Sequence, residues 1–192
     1  MSGELITIVI LGGALALVLF VIALRTRRMV STPHERAVHD TLAAAAKAAH
    51  PLRDGLTEAS AAEAAGPLRE LTGAEGIALY AADGALLGRD GETGIWTPTV
   101  LESANHLARE ALDGRRRILT EDPGGPGALI RKLVAAPLLT DDISAGVLVV
   151  ATVRQPGPGQ IGAITEVANY AATQLQLAEL DASRARLDRA EV

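Results

Sequence analysis

Leu133 to Val153 reads LVAAPLLTDDISAGVLVVATV, and the fold turns on this stretch. Two apolar runs, Leu133–Leu138 and Ala145–Val153, are joined through Thr140-Asp141-Asp142. Both are short and rich in Val and Leu, which suits strands better than helices. The second run is the most apolar segment outside the first thirty residues, and a strand of that kind belongs in the middle of a sheet.

Working upstream, Asp122-Pro123-Gly124-Gly125-Pro126-Gly127 has no regular option and reads as a loop. Arg117-Ile118-Leu119 reads as a short strand. Val100 to Leu112 carries Leu101, Ala104, Leu107, Ala108 and Leu112 at helical spacing and is closed by Asp113-Gly114. Gly88 to Pro98 reads as a Gly-rich loop, with Ile95 and Trp96 its only bulky apolar residues. Gly76-Ile77-Ala78-Leu79-Tyr80 alternates as a half-buried strand, Asp83-Gly84 is a hairpin turn, and Leu86-Leu87 begins the return strand. Before it, a helix opens at Thr57 and stops at Gly73. An earlier one, His34 to His50, starts behind Ser31-Thr32-Pro33 and ends at Pro51.

Downstream, Gln155-Pro156-Gly157-Pro158-Gly159 leads into a closing helix that runs to Val192. Past Gly162 neither Gly nor Pro interrupts it, and good helix formers dominate. Ile164, Ala168, Ala171, Leu175, Ala178, Ala182, Ala185, Arg189 and Val192 alternate at spacings of four and three, the seam of a weak, Ala-rich coiled coil. Leu177, Leu180 and Leu187 form a second stripe beside it, so the register stays open. Asp181, Arg184 and Asp188 pair along the exposed side. No Gly, Asn or Pro closes the helix, which reads as a connector continuing into something longer.

At the other end, Leu5 to Leu24 holds no charge and is long enough to cross a bilayer. Glu4 precedes it while Arg25, Arg27 and Arg28 follow. That is the reverse of a signal peptide, and it places everything after Leu24 on the cytoplasmic side. The expected organisation is a single-pass anchor and basic flank over 1–30, a sensory domain over 31–158, and a closing helix and connector over 159–192. Only the first four residues would then lie outside, so a soluble stimulus must be read on the inner face of the cell membrane.

Composition narrows the chemistry. Among 192 residues there is no cysteine, which removes disulfides, thiolate metal sites and thiol redox sensing. Aromatics are only 2%, so the core must be built of Ala, Leu, Val and Ile. With a net charge of −5 and Arg115-Arg116-Arg117 the tight basic run of the domain, no surface asks for nucleic acid. No nucleophile–base pair stands out, so no catalytic residues are expected. His39 and His50 lack a third ligand nearby, and neither a metal nor a cofactor is called for.

The order of two helices, hairpin, helix, two long strands and closing helix resembles a GAF domain, an antiparallel sheet with helices on one side. The residues that carry the likeness are Gly76 to Gly84, Leu133-Val134-Ala135-Ala136-Pro137-Leu138 and Gly146-Val147-Leu148-Val149-Val150. More narrowly, the chain resembles the amino-terminal half of actinobacterial LytS-type sensor histidine kinases. That likeness rests on Ser31 to Val38, Pro51 to Thr57 and Gln174 to Ala185. It implies an α+β fold, a parallel homodimer, and a closing helix that hands a signal to a histidine-kinase core and its response regulator. It also implies a pocket for an unidentified small ligand, with Trp96 and His106 on its wall. The phosphoacceptor and ATP-binding regions of such kinases have no counterpart in these residues. His34-Glu35-Arg36 is similar to the start of a phosphoacceptor box, but lacks the following Thr-Pro and precedes the sensor. A scaffold that dimerises at the membrane without a ligand is the competing reading. An open, polar pocket would favour the sensor, and a core filled by Leu and Val the scaffold. A sulfoxide reductase on a GAF-like fold is disfavoured, because that chemistry needs cysteine.

Overall fold

A computed structural model describes residues 44–140 and 143–190, all within one compact unit, Thr41–Val192. The candidate membrane segment, His34, His39 and most of the first expected helix lie outside the described residues. Among those described, no helix is long and apolar enough to cross a membrane.

The chain runs α1 (44–52), α2 (Glu58–Thr72), β1 (Gly76–Ala81), β2 (Leu86–Gly91), α3 (Pro98–Gly114), β3 (Ile118–Glu121), β4 (Lys132–Thr140), β5 (Ile143–Thr152) and α4 (Pro158–Ala190). The strands form one antiparallel sheet in the order β2-β1-β5-β4-β3. The most apolar run, β5, lies at its centre between β1 and β4. Pro137 is tolerated inside β4 because β3 pairs only with Lys132 to Ala135, leaving no ladder partner on that edge.

Local chemistry fixes the joints. Thr57 caps α2 with a capping box shared with Ser60, and Gly73, in the left-handed region at φ 58°, ends it. Asp83 accepts from the Ala85 amide across the β1–β2 turn. Thr97 caps α3, with Pro98 in its first turn.

Four expectations need correcting. Pro51 does not end α1, which runs through Leu52 before the Arg53-Asp54 turn. The segment after Leu87 is not loop: β2 continues to Gly91, with Ala78 opposite Arg89 and Gly76 opposite Gly91. Its polar residues are acceptable because β2 is an edge strand. The left-handed residue that closes α3 is Arg115, at φ 46°, and Gly114 stays inside the helix.

The fourth correction concerns the layers. β1 does not alternate between core and water, since Gly76 to Tyr80 are all buried. Ile77 and Leu79 join Leu148, Val150, Val134 and Leu138 under α1, α2 and α4. Ala78 and Tyr80 join Val147, Val149, Leu133 and Ala135 on the opposite face, under α3. A sheet apolar on both faces must be covered on both, so helices flank it on two sides and not one.

Candidate functional site

The feature with the clearest geometry is α4. Its first half is bound to the domain by apolar and polar contacts. Ile164, Ala168, Ala171, Ala172 and Leu175 are buried in the core beneath α1 and α2. Gln160 donates to the carbonyls of Gly73 at 3.1 Å and Thr72 at 3.4 Å, which satisfies the open end of α2. Arg117 Nη1 donates to Thr165 Oγ1, and Tyr170 donates to the Ala45 carbonyl at 2.8 Å, tying α4 to the start of β3 and to α1. Arg53 Nε donates to Gln174 Oε1 at 3.4 Å.

The second half draws away from the domain gradually, with Ala178 and Ser183 still half-buried. Leu175 is 6% exposed, whereas Leu177 is 43% exposed and Leu187 67%. The Ala-rich seam read from the sequence is therefore divided. From Ile164 to Leu175 its partner is the molecule's own sheet, and only the continuation could meet another helix. Two clefts mark the departure point. One, of about 550 Å³, lies between the Arg53–Leu56 turn and Leu175, Ala178 and Ala182. The other, of about 270 Å³, lies between Thr140 and Ile143 on one side and Leu180 and Ser183 on the other.

Trp96 and His106 do not line either cleft. Trp96 is half-buried at the rim of the α3-side core, and its Nε1 donates to the Asp90 carbonyl at 3.0 Å. Its ring closes over Gly76, where a Cβ would meet Cζ2 at 3.1 Å. That is the geometry of a loop anchor. His106 is exposed on α3, off the buried face formed by Val100, Ala104, Leu107, Ala108 and Ala111. His50 is exposed too. Among the described residues no group of three His, Cys, Asp or Glu side chains could hold a metal ion.

The α3-side face, where sheet and helix would enclose a ligand, is filled by Ile95, Val100, Leu107, Ile130 and Leu133, each no more than 2% exposed. Sequence reasoning missed the one polar group there. The Tyr80 hydroxyl is fully buried and, among the described residues, is the buried side-chain oxygen or nitrogen without a hydrogen-bond partner. A lone Tyr in an otherwise apolar strand was the available signal. Burial pushes its pKa from 10.0 up to about 12, with the Arg89 charge pulling the other way.

This group gives a test in two parts. An unpartnered buried hydroxyl costs about 1–3 kcal/mol, so Tyr80→Phe should raise unfolding stability by about 1 kcal/mol near neutral pH. Because the folded-state pKa is the higher one, the native protein holds the proton that the unfolded chain releases. Stability is therefore complete below pH 10 and falls as pH rises towards 12, by about 2–3 kcal/mol for a shift of this size. Denaturant melts at pH 8 and pH 11 should show about half of that loss in the parent, since pH 11 lies midway between the two pKa values, and less of it in Tyr80→Phe. A Phe variant less stable at pH 8 would mean that the hydroxyl has a partner.

No protein-family model matches the chain, and no curated protein matches it in sequence. Solved structures do resemble it. The GAF domain of an Acinetobacter phosphoenolpyruvate-protein phosphotransferase is 13% identical, with 72% of this chain and 94% of that one covered at a TM-score of 0.50. The GAF domain of a candidate sensor histidine kinase from Pseudomonas syringae pv. tomato is 20% identical, with coverages of 83% and 97% and a TM-score of 0.48. Free methionine-R-sulfoxide reductase from Neisseria meningitidis, in complex with its substrate, is 17% identical, with coverages of 65% and 80% and a TM-score of 0.46. The Acinetobacter likeness, at a TM-score of 0.50 and 13% identity, speaks to the fold alone, and the chain has a GAF-like α+β fold.

Proposed function

We propose that this chain is the sensory module of a two-component signalling histidine kinase of the LytS type, anchored by Leu5–Leu24 with its domain in the cytoplasm. It acts as a parallel homodimer, and α4 carries the signal to a kinase core that phosphorylates a response regulator. The observation that carries this reading is a GAF-like domain whose last helix is core up to Leu175 and then runs on, bordered by the domain across two clefts as far as Ser183 and exposed beyond it. A ligand or a change of state would alter how Ile164 and Val167 seat on the sheet, and the helix beyond would turn or slide. The module itself performs no chemistry. It lacks a nucleotide-binding motif, and His34 is assigned no phosphoacceptor role.

A second reading, a scaffold that dimerises at the inner face of the membrane without a ligand, is favoured by one observation. The α3-side face of the sheet is packed with aliphatic side chains and holds a single unpartnered hydroxyl.

Both readings require the same topology, which labelling in intact cells tests. A cysteine replacing Ser2 should react with an impermeant thiol reagent from outside, and one replacing Ser183 should not. Labelling of Ser183→Cys from outside would overturn the anchor and the cytoplasmic domain together.

A further inference from the structure

Beyond Gln176, α4 has two unlike faces. Ala178, Asp181 and Ala182 line the 550 Å³ cleft together with Arg53 and Leu56, and Gln176 and Ser183 border the 270 Å³ cleft with Thr140, so the domain stands on those sides and the arc between them, centred on Leu177 and Arg184, is left open. At 100° per residue, Leu177, Leu180 and Leu187 lie roughly 120–160° around the helix from the last core residue, Leu175. Leu180 is 50% exposed, and Ile143, 69% exposed, shares its cleft at the foot of the stripe. Apolar residues gathered this way on a projecting helix mark a contact surface.

Three features identify what covers it. First, positions 177, 180, 184 and 187 follow spacings of three, four and three, the a and d positions of a two-stranded coil. Second, Arg184 occupies the central a position, and its Nη1 lies 3.9 Å from Asp181. A closed groove would strip water from that guanidinium, whereas a two-stranded coil lets its stem lie in the seam with the head in water. Third, the flanks are self-complementary. Asp181 and Asp188 line one side, and Gln176 and Ser183 line the other, each five residues before an Asp. In a parallel, in-register pair of identical helices, residues five apart on opposite flanks meet. The Ser183 hydroxyl of one copy then faces the Asp188 carboxylate of the other. An antiparallel pair would set the two acidic flanks together. The acidic rim also argues against an anionic lipid surface.

We infer that the Leu177–Leu180–Arg184–Leu187 face, and not the Ala-rich seam, is where a second copy of this chain packs as a parallel, in-register coil. Arg184 is the residue that fixes the register. This rests on the reading of α4 as the output helix of a dimer. A charged a position specifies pairing at a cost in stability, so the coil is weak and its packing adjustable.

The absence of cysteine makes the test free of background. Single-cysteine variants of the full chain in detergent micelles are oxidised mildly and run as covalent dimers. Leu177→Cys, Leu180→Cys and Leu187→Cys should cross-link several-fold more than Ala178→Cys, Ala182→Cys and Ala185→Cys. Arg184→Leu should lower the dimer dissociation constant at least tenfold. Cross-links concentrated on the Ala positions, or an Arg184→Leu variant that dimerises no better, would overturn the Leu face while leaving α4 a dimer helix. No cross-links on either face would overturn the dimer reading as well.

Discussion

Replacing Gly88 with Ala should lower the melting temperature of the domain by roughly 10 °C. Gly88 lies in β2, where α2 crosses the sheet edge. A Cβ built there falls 2.6 Å from both the Ala61 carbonyl carbon and the Ala62 amide nitrogen. Those are helix backbone atoms and cannot swing aside as a side-chain tip would, so α2 must lift from the edge strand. Its buried residues, Ser60, Ala61, Ala64, Ala65, Leu68 and Thr72, are small at every position but Leu68, which permits the close approach. Overpacking of this kind costs about 1–3 kcal/mol, and rigid neighbours put Gly88 at the upper end. For a domain of this size each kcal/mol moves the melting temperature by about 2–4 °C. The same substitution at Gly162 should act in the opposite direction. That residue is exposed within α4, a Cβ there meets nothing within 4 Å, and Ala in a helix is better than Gly by about 0.5–1 kcal/mol. Thermal melts of the two variants decide it. Equal shifts for Gly88→Ala and Gly162→Ala would mean that α2 does not approach β2 as described.

Close approaches of this kind are invisible in the sequence, and so β2 past Leu87 reads there as loop. Gly88, Arg89 and Asp90 have the composition of a turn, and only the pairing of Ala78 with Arg89 makes them strand. The apolar strands were legible because Val and Leu runs bounded by Asp-Gly or Asp-Asp admit few alternatives. Which faces they bury was less so, since a short, wholly apolar run does not say whether helices lie on one side or two. His106 shows the converse. The spacing of Leu101, Ala104, Leu107, Ala108 and Leu112 already kept it off the apolar face, and a resemblance drew attention to it. In α4 the sequence offered two stripes with no means to rank them. The ranking came from which residues the domain already uses: Ile164, Ala168, Ala171 and Leu175 are taken.

That division of α4 sets where its phase can be altered without touching the fold. An insertion between Gln176 and Leu177 falls after the last core residue and before the first exposed leucine. One or two inserted Ala residues should leave the melting temperature of the domain within about 2 °C, because no fully buried residue is displaced and only the half-buried Ala178 and Ser183 lose their place in the clefts. Joined to a histidine-kinase core, the same variants should lose regulated output, locked either on or off. Each added residue turns the distal helix by about 100° and lengthens it by about 1.5 Å. One insertion carries Leu180 and Leu187 well away from the line of Ile143, and two carry them past it. The seam can then form only by twisting the domains out of their symmetric seat. Seven insertions return the stripe to within about 20° of its facing, at a cost of only about 10 Å in length. Regulation should therefore return with seven. A rigid lever that worked by reach alone would fail with seven more than with one, since its length error grows steadily. A flexible tether would tolerate all three. The order of outcomes, lost with one and two and restored with seven, thus separates a helix read by its facing from both alternatives. Output indifferent to every insertion would reduce α4 beyond Leu175 to a tether.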